Sequence, residues 1–553
     1  MTGEALIGTG RRRIVALLLI VVAVSWLTID SFRGLYNPDE GRYAEIPREM
    51  LATGDYLVPH LNGLVYIEKP PLPYWINAVS LALFGYNEWA ARLYTALAGI
   101  ATVLVTAWLA RRVWGAAAAW RSGLMLASSL YVMLMSHQLT LDMSLTLFTT
   151  LTLVAFCAAQ LADTPQRSRT RLMLLAWVGA ACAFLTKGLL AGVLPVLTLL
   201  GYSLLQRDFR PWRRLAPAVG VPLFLVIAVP WLVLMQRRLP QFFDFFIVRE
   251  HFQRFTTLVE QRYQPWWFFV EVLIVGSLPW LVPFVRALAS GWRRTAAPGD
   301  FDARRLLWVW SVVVFVFFSA SDSKLIPYIL PMFPALALLA GSAPEASLRR
   351  DLRGTGVGLY LAAAACLAGA VLLPRVLPHF SHPERAPYFL EIRSPLVLMS
   401  AALAAGGWYA RRARDGLMQI AAVGAASYLF FACILWAAAL LAPVYSGASL
   451  ARQLPPELEG SATVYSVRTY DQSLTFYLRR TVTVVDYRGE LDFGLTLEPR
   501  KGLATLEEFM PRWRAEQQAL AVMKPETYTQ LAQSGLPMVL RARAPDELIV
   551  SRR

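Results

Sequence analysis

The feature that most constrains the fold is a succession of long apolar runs, separated by short loops rich in arginine. Hydrophobic residues make up 56% of the 553-residue chain, and charged residues only 16%. One soluble core cannot bury that much apolar surface, whereas a bilayer is crossed by runs of about 20 apolar residues each. We therefore predict a polytopic α-helical membrane protein with about 13 transmembrane helices.

Lysine and arginine in the short loops orient these helices, because loops that carry them resist translocation. The basic N-terminus is then cytoplasmic, and residues 70–84, which are proline-rich and then amphipathic, are predicted to lie at the interface without crossing. This topology accounts for most of the net charge of +16, which removes the main argument for a nucleic-acid partner. The predicted spans are residues 14–29, 89–110, 124–135, 141–161, 172–185, 189–205, 215–235, 266–288, 306–319, 325–339, 357–373, 396–410 and 420–441.

The pattern changes after the last apolar run. Residues 1–444 are predicted to form the transmembrane domain, with residues 30–88 as its first outer loop, and residues 445–553 a separate domain. In the second domain, short β-rich runs alternate with helical patterns, which is typical of a small α/β domain. The β-rich runs are residues 463–467, 481–485, 519–523 and 538–542. The odd number of spans places it outside, where we expect a structural or acceptor-contacting lid over the membrane unit.

Charge is concentrated in the first outer loop. Asp39, Arg42, Tyr43 and Ile46 share one helical face at this spacing. Acids in a first helical turn stabilise a surface helix by about 0.3–1 kcal/mol each, and that is the simpler interpretation of this pattern. An acid beside an apolar span and paired with Arg42 is also suited to be a catalytic carboxylate.

A second acid lies at the outer end of an apolar run. Asp142 would cost about 2.5–3.5 kcal/mol at the bilayer centre and far less near the interface, so it is either a helix cap or a second site acid. Tyr66 and Glu68 join Arg42 and Tyr43 as predicted substrate-binding residues on local chemistry.

Four cations are predicted near the outer interface. Any single one is explained by a long side chain that reaches the interface, but together they offer a phosphate several positive charges. They are Lys69, Lys187, Arg254 and Lys324.

Two residues are chemically competent metal ligands. Glu68 could supply oxygen and His251 nitrogen to a divalent metal ion such as zinc. The chemistry itself does not require a cofactor.

Five segments between residues 37 and 341 carry a resemblance to a known family. Together they resemble the integral-membrane glycosyltransferases of the ArnT type, which are bacterial lipid A 4-amino-4-deoxy-L-arabinose transferases related to protein mannosyltransferases. The segments are DEGRYAEIPREML, IEKPPLPYW, LTLDMSLTLF, FLTKGLLAGVLP and SDSKLIPYILPMFPALALLAG.

The resemblance implies a GT-C fold and an inverting transfer of aminoarabinose from undecaprenyl phosphate to lipid A phosphate groups. It places the enzyme in the bacterial inner membrane with the active site facing the periplasm, and it implies resistance to polymyxin and other cationic peptides. Asp39 takes the position of the catalytic acid and Asp142 that of a second site acid. The donor phosphate is assigned to the lysines of the family's KPP, TKG and SKLPxY-like motifs and to a tyrosine, namely Lys69, Lys187, Lys324 and Tyr328.

Alternatives remain at this point. Asp39 would be a general base toward a hydroxyl acceptor, whereas an ionised phosphate acceptor needs no proton removed, and Asp39 would then stabilise positive charge on the sugar or hold its ammonium group. A mannosyltransferase acting on hydroxyls of proteins or glycans would share the fold. A lipid or sugar transporter would also have many spans, but would concentrate its charges at the midplane.

Overall fold

The computed structural model describes residues 22–253, 264–297, 299–413, 415–454 and 462–552, with the backbone alone for residues 250–253. A helical unit extends to Tyr445, and an α/β domain follows it. The helices of the first outer loop are α1 (Asp39–Thr53) and α2 (Leu72–Phe84), separated by a hairpin of β1 (His60–Leu61) and β2 (Leu64–Val65).

The remaining helices of this unit are bundled. They are α3 (Glu88–Trp114), α4 (Ala116–Ala127), α5 (Leu130–Ser136), α6 (Asp142–Gln160), α7 (Gln166–Lys187), α8 (Leu190–Gln206), α9 (Arg210–Arg213), α10 (Pro217–Arg238), α11 (Phe268–Gly276), α12 (Leu281–Gly291), α13 (Ala303–Ala320), α14 (Phe333–Gly341), α15 (Glu345–Val376), α16 (Ala386–Glu391), α17 (Arg393–Arg412) and α18 (Gly416–Tyr445).

Eight of these helices in the described part are long and apolar enough to cross a membrane. They are α3, α6, α7, α10, α13, α15, α17 together with the short helix α16 before it, and α18, and each overlaps one predicted span. The prediction of a polytopic α-helical membrane protein is therefore confirmed. The interfacial segment, residues 70–84, also forms the short separate helix α2.

Four of the other five predicted spans are not single helices long enough to cross a membrane. Residues 266–288 are divided between α11 and α12, which are bent by 120° at a break containing Pro279, whose missing N–H cannot continue a helix. Residues 124–135 are likewise divided between α4 and α5. Residues 189–205 form a helix of only 17 residues, α8, and residues 325–339 begin as a 3-10 helix, Ile326–Met332.

The span predicted from residue 14 begins outside the described residues. Counting the bent pair as one span gives up to nine membrane-crossing helices in the part of the chain that is described. The total of about thirteen stays a prediction.

The C-terminal domain has one six-stranded sheet flanked by short helices. Its strand order is β5-β4-β3-β6-β8-β7, in which the first four strands are parallel, β8 is antiparallel to β6, and β7 is antiparallel to β8. The strands are β3 (Thr463–Val467), β4 (Thr483–Val485), β5 (Gly502–Leu503), β6 (Ala519–Met523), β7 (Val539–Arg543) and β8 (Leu548–Ser551). The helices are α19 (Ala448–Gln453), α20 (Gln472–Leu478), α21 (Asp492–Leu497), α22 (Leu506–Ala515) and α23 (Pro525–Gln533).

One hydrophobic core joins this domain to the first outer loop. Ile46 and Met50 of α1 are buried together with Leu474 and Phe476 of α20. The opposite face of the sheet has a core of its own, centred on Trp513. The domain is therefore packed onto the loop that carries Asp39, in keeping with the predicted lid.

Candidate active site

Helix α1 presents polar side chains on one face. Pro38 precedes the helix, and Asp39 and Glu40 occupy its first turn, where the positive end of the helix dipole favours acids. Asp39, Arg42 and Tyr43 lie one turn apart and all line one cavity, as their spacing predicts.

This cavity has a volume of about 410 Å³ and lies where α1, the loop before α2, the start of α6 and the end of α7 meet. Residues separated by almost 300 positions in the sequence converge there. Among the described residues, six charged side chains line it, three acidic and three basic: Asp39, Glu68, Asp142, Arg42, Lys69 and Lys187. Tyr43 and Tyr328 complete the set of predicted site residues that the structure brings together.

Asp142 and Lys187 form an ion pair in the cavity wall. Asp142 is the first residue of α6 and Lys187 the last of α7, and Nζ of the lysine donates to Oδ1 of the carboxylate at 2.5 Å. The same Nζ lies 4.7 Å from the centre of the Tyr328 ring. The pair and the ring hold an ammonium group at the cavity, where it can contact a ligand phosphate.

Arg42 lies between two carboxylates from distant parts of the chain. Its Nη2 is 3.7 Å from Oδ1 of Asp39, and its Nε is 2.7 Å from Oε2 of Glu490. The contact with Glu490 is an ion pair that does not have the geometry of a hydrogen bond. Its Nη1 donates to the Tyr66 hydroxyl at 3.3 Å. Burial by itself lowers the pKa of Arg42, but Tyr66 and Glu490 outweigh this and leave its pKa well above the usual range. Arg42 is therefore a fixed positive charge beside Asp39.

Glu40, next to Asp39, points away from the cavity and is fully buried. Its carboxylate accepts hydrogen bonds from Arg33 at 2.7 and 2.9 Å and from Arg92 at 2.8 and 2.9 Å. The backbone N–H of Leu139 also donates to it, at 3.1 Å. Burial raises the pKa of Glu40, but the two arginines outweigh this and hold its pKa well below the usual range. Glu40 thereby ties α1 to α3 and to the loop that leads to Asp142.

Sequence reasoning missed both Glu40 and Glu490. A signal for Glu40 was available, because Arg92 lies within a predicted span and Arg33 follows another, and each needs a partner if it is buried. Glu490 had no such signal, since it is 448 positions from Arg42 and lies in a domain for which only the architecture was predicted.

Two predicted site residues with described side chains, Lys324 and Tyr66, do not line the cavity, and two others lie outside the described residues. Lys324 is buried, and its Nζ donates to the carbonyl oxygens of Ser321 at 2.5 Å and Gln264 at 3.1 Å, so its assignment to the donor phosphate stays a prediction. Tyr66 lies behind Arg42 and supports it, and does not line the cavity. Arg254 and the His251 side chain lie outside the described residues.

The metal hypothesis gains no ligand set from the described side chains. No three His, Cys, Asp or Glu side chains among them come together in a way that could hold a metal ion. Glu68 lines the cavity, but a Glu68–His251 site stays a prediction.

Two family models match the chain. Residues 450–552 match the aminoarabinose transferase C-terminal domain, and residues 12–246 match the dolichyl-phosphate-mannose-protein mannosyltransferase model. The first match covers the α/β domain, and the second lies within the helical unit.

Curated relatives and solved structures match over nearly the whole chain. The undecaprenyl phosphate-α-4-amino-4-deoxy-L-arabinose arabinosyl transferase of Pectobacterium carotovorum is 31% identical over 97% of this chain and 96% of its own. The protein with that name from Pseudomonas aeruginosa is 35% identical over 92% of each chain. The crystal structure of ArnT from Cupriavidus metallidurans bound to undecaprenyl phosphate has a TM-score of 0.89 and 35% identity, covering 97% of this chain and 98% of that one.

Fold and matches together define a polytopic membrane glycosyltransferase with the GT-C fold. Within that class, the chain belongs to the ArnT family of aminoarabinose transferases. The resemblance in the sequence motifs is thereby confirmed.

Proposed function

We propose that this chain transfers 4-amino-4-deoxy-L-arabinose from undecaprenyl phosphate to a phosphate group of lipid A. The observation that carries the proposal is the cavity in which Asp39 and Asp142 line the same space as Lys69 and Lys187. Such a cavity can hold an anionic lipid headgroup and a sugar together. The Cupriavidus relative, whose structure contains undecaprenyl phosphate, supports this choice of donor.

The reaction in this proposal is an inverting displacement. An oxygen of the acceptor phosphate forms a bond to the anomeric carbon, while the bond from that carbon to the donor phosphate oxygen breaks and its electron pair leaves with undecaprenyl phosphate. The leaving group needs charge stabilisation more than a proton donor, and Lys69 and Lys187 supply it. Arg254 remains a predicted third cation outside the described residues.

Asp39 is assigned to the acceptor side of the anomeric carbon. Because a lipid A phosphate is ionised near neutral pH, no proton has to be removed from it. Asp39 then acts on positive charge, either the charge that develops on the sugar or its ammonium group. A hydroxyl acceptor would instead make Asp39 the general base.

Within the same proposal, the protein lies in the bacterial inner membrane with the cavity facing the periplasm. Asp142 and Lys187 lie at the cavity ends of α6 and α7, whereas Arg167 and Arg169 follow the opposite end of α6. Basic loops of this kind stay cytoplasmic. A periplasm-active reporter fused after Tyr445 is therefore expected to be active, and a silent but well-expressed fusion would contradict the orientation.

The experiment is a complementation in a bacterium that makes the aminoarabinose donor but lacks its own transferase. We expect mass spectrometry of purified lipid A to show aminoarabinose with the wild-type chain and none with Asp39→Asn. Asp486→Asn is the matched control, because it neutralises an exposed carboxylate that pairs with Arg468. Unmodified lipid A beside abundant wild-type protein would overturn the proposal. Equal lipid A modification by wild type and Asp39→Asn would show that the Asp39 carboxylate is not needed for transfer.

The match of residues 12–246 to the mannosyltransferase model favours one second candidate. In that case the chain would transfer a polyprenyl-phosphate-linked mannose to a hydroxyl of a protein or glycan. Unmodified lipid A together with a newly glycosylated protein in the same cells would favour it.

A further inference from the structure

The C-terminal domain reaches the candidate active site through an acidic side chain. Glu490 lies in a short 3-10 helix, Gly489–Leu491, and its carboxylate is 2.7 Å from Arg42 of α1. The side chains of both residues are largely buried, with 13% and 11% exposed, whereas the side chain of Asp39 is 47% exposed. The tighter and better shielded partner of Arg42 therefore comes from the domain outside the membrane.

The position of Glu490 is fixed from its own domain. Gln472 of α20 donates to its Oε1 at 2.5 Å. Gly489, the residue before it, has φ +44°, and a Cβ there would come within 2.4 Å of the Tyr487 hydroxyl. This turn therefore requires glycine, which allows the backbone to bring Glu490 to Arg42.

A second glycine lets the two elements meet. A Cβ on Gly41 would lie 2.3 Å from the backbone nitrogen of Ser473, so α1 and α20 are in backbone contact at this point. The amide nitrogen of Ser473 also donates to the Asn37 side chain at 2.9 Å. The contact sits between Asp39 and Arg42, and the domain is therefore seated directly on the residues that line the cavity.

Removal of the Glu490 charge would leave Arg42 with a different nearby carboxylate. Asp39 is 3.7 Å away, one helical turn along α1, and a small rotation of the arginine closes that gap. The long ion pair between Asp39 and Arg42 would then become a close one, and the Asp39 carboxylate would no longer be open to a substrate in the cavity.

We propose that Glu490 is a positioning residue, which takes the closer contact with Arg42, keeps the Arg42–Asp39 pair long and so leaves the Asp39 carboxylate available for transfer. This inference rests on the proposed function of the cavity. Glu490 acts through Arg42 and does not itself line the cavity.

The test is a double-mutant cycle on the purified full-length chain, with undecaprenyl phosphate-linked aminoarabinose as donor and lipid A as acceptor. Glu490→Gln is expected to lower kcat by about tenfold, within the usual range of coupling between contacting residues, with a smaller change in the donor KM. Glu490→Asp, which keeps the charge, should retain more of the rate. In an Arg42→Gln background, Glu490→Gln should have no further effect. Effects that multiply independently would overturn the inference.

A matched control distinguishes an effect of Glu490 on the position of Arg42 from a general weakening of the contact between the C-terminal domain and the helical unit. Glu88, the first residue of α3, accepts a hydrogen bond from Tyr477 of α20 at 3.0 Å and lies 3.7 Å from Arg452. It therefore also joins the helical unit to the C-terminal domain, but away from the cavity. Glu88→Gln is expected to leave kcat within about twofold of wild type. An equal loss of kcat in Glu88→Gln and Glu490→Gln would mean that Glu490 serves docking alone, which also contradicts the proposal.

The same double-mutant cycle can also be measured through protein stability instead of activity. If the Arg42→Gln protein turns over too slowly, the melting temperatures of the same four proteins report whether Arg42 and Glu490 are coupled, and additive shifts would overturn their pairing. A wild-type chain that transfers no aminoarabinose would count against the proposed function, while the melting temperatures would still decide the pairing.

Discussion

Two adjacent acids, Asp39 and Glu40, are expected to respond oppositely to the loss of their charge. Glu40 is completely buried and receives six hydrogen bonds of 3.1 Å or less, from Arg33, Arg92 and the backbone N–H groups of Tyr36 and Leu139. In Glu40→Gln, a single amide oxygen replaces two carboxylate oxygens, and the amide NH₂ faces arginine donors. The two guanidinium groups are left without their shared counter-charge.

Removing one partner from a buried ion pair destabilises a protein by about 3–5 kcal/mol, because the other charge stays buried and uncompensated. Asp30 lies 3.8 Å from Arg33 and offsets part of this, so we expect the lower end, about 3 kcal/mol. Asp39 is 47% exposed, and its substitution by Asn is expected to change stability by no more than about 0.5 kcal/mol.

The assay is denaturant unfolding of purified protein in mild detergent, followed by tryptophan fluorescence, beside lipid A mass spectrometry. Asp39→Asn should unfold like wild type but leave lipid A unmodified. Glu40→Gln should unfold at clearly lower denaturant. If the two variants unfold at the same denaturant midpoint, Glu40 does not stabilise the fold through Arg33 and Arg92. The assignment of a structural role to Glu40 and a catalytic role to Asp39 is then refuted.

Three further outcomes are expected. Lys187→Ala should lower transfer by at least about tenfold and raise the donor KM, since it removes a cation from the cavity wall, whereas Lys187→Arg should retain part of the activity; initial rates check both. Burial, and then a neighbouring carboxylate, raises the pKa of Glu49 to about 8, so the folded state holds a proton that the unfolded chain releases at lower pH. The melting temperature should therefore fall as pH rises from about 5 to about 8, and fall less in Glu49→Gln. Gly41→Ala should separate α1 from α20 at Ser473, and limited proteolysis should release the C-terminal domain faster than in Gly192→Ala, where a Cβ meets open space.

Local patterns predicted the elements well where neighbouring residues decide the structure. Strands β3 and β6 match the predicted runs, residues 463–467 and 519–523, because both are short uncharged runs that end at a charged residue, Arg468 or Lys524. The bend between α11 and α12 was missed, because hydropathy measures how apolar a segment is and not its direction. Pro279 indicated that the helix could break there. Proline inside a span does not always break a helix, however, since Pro222 and Pro230 lie within α10.

The candidate site was predictable to the extent that membrane topology determines it. Asp39, Asp142 and Lys187 were all assigned to the outer side, and three helix ends on one side of a bundle can converge on one cavity. Lys324 was assigned to the same side, yet its ammonium group turns to backbone carbonyls, because topology does not determine the direction of a side chain. The contact between Glu490 and Arg42 could not be predicted from the sequence, because it depends on how the C-terminal domain packs against α1, and no local sequence pattern indicates that.

The charge balance of the cavity favours the proposed donor over its mannose alternative. Among the described lining residues, Asp39, Glu68 and Asp142 face Arg42, Lys69 and Lys187, so the lining carries no net charge. A polyprenyl phosphodiester of a neutral sugar adds one negative charge to this space, whereas the ammonium group of aminoarabinose offsets the charge of its phosphate. Because an uncompensated charge is costly in a shielded cavity, a zwitterionic headgroup suits these walls better. The lysines can then bind the phosphate while a carboxylate remains for the amine, which is the second role open to Asp39 when it does not accept a proton.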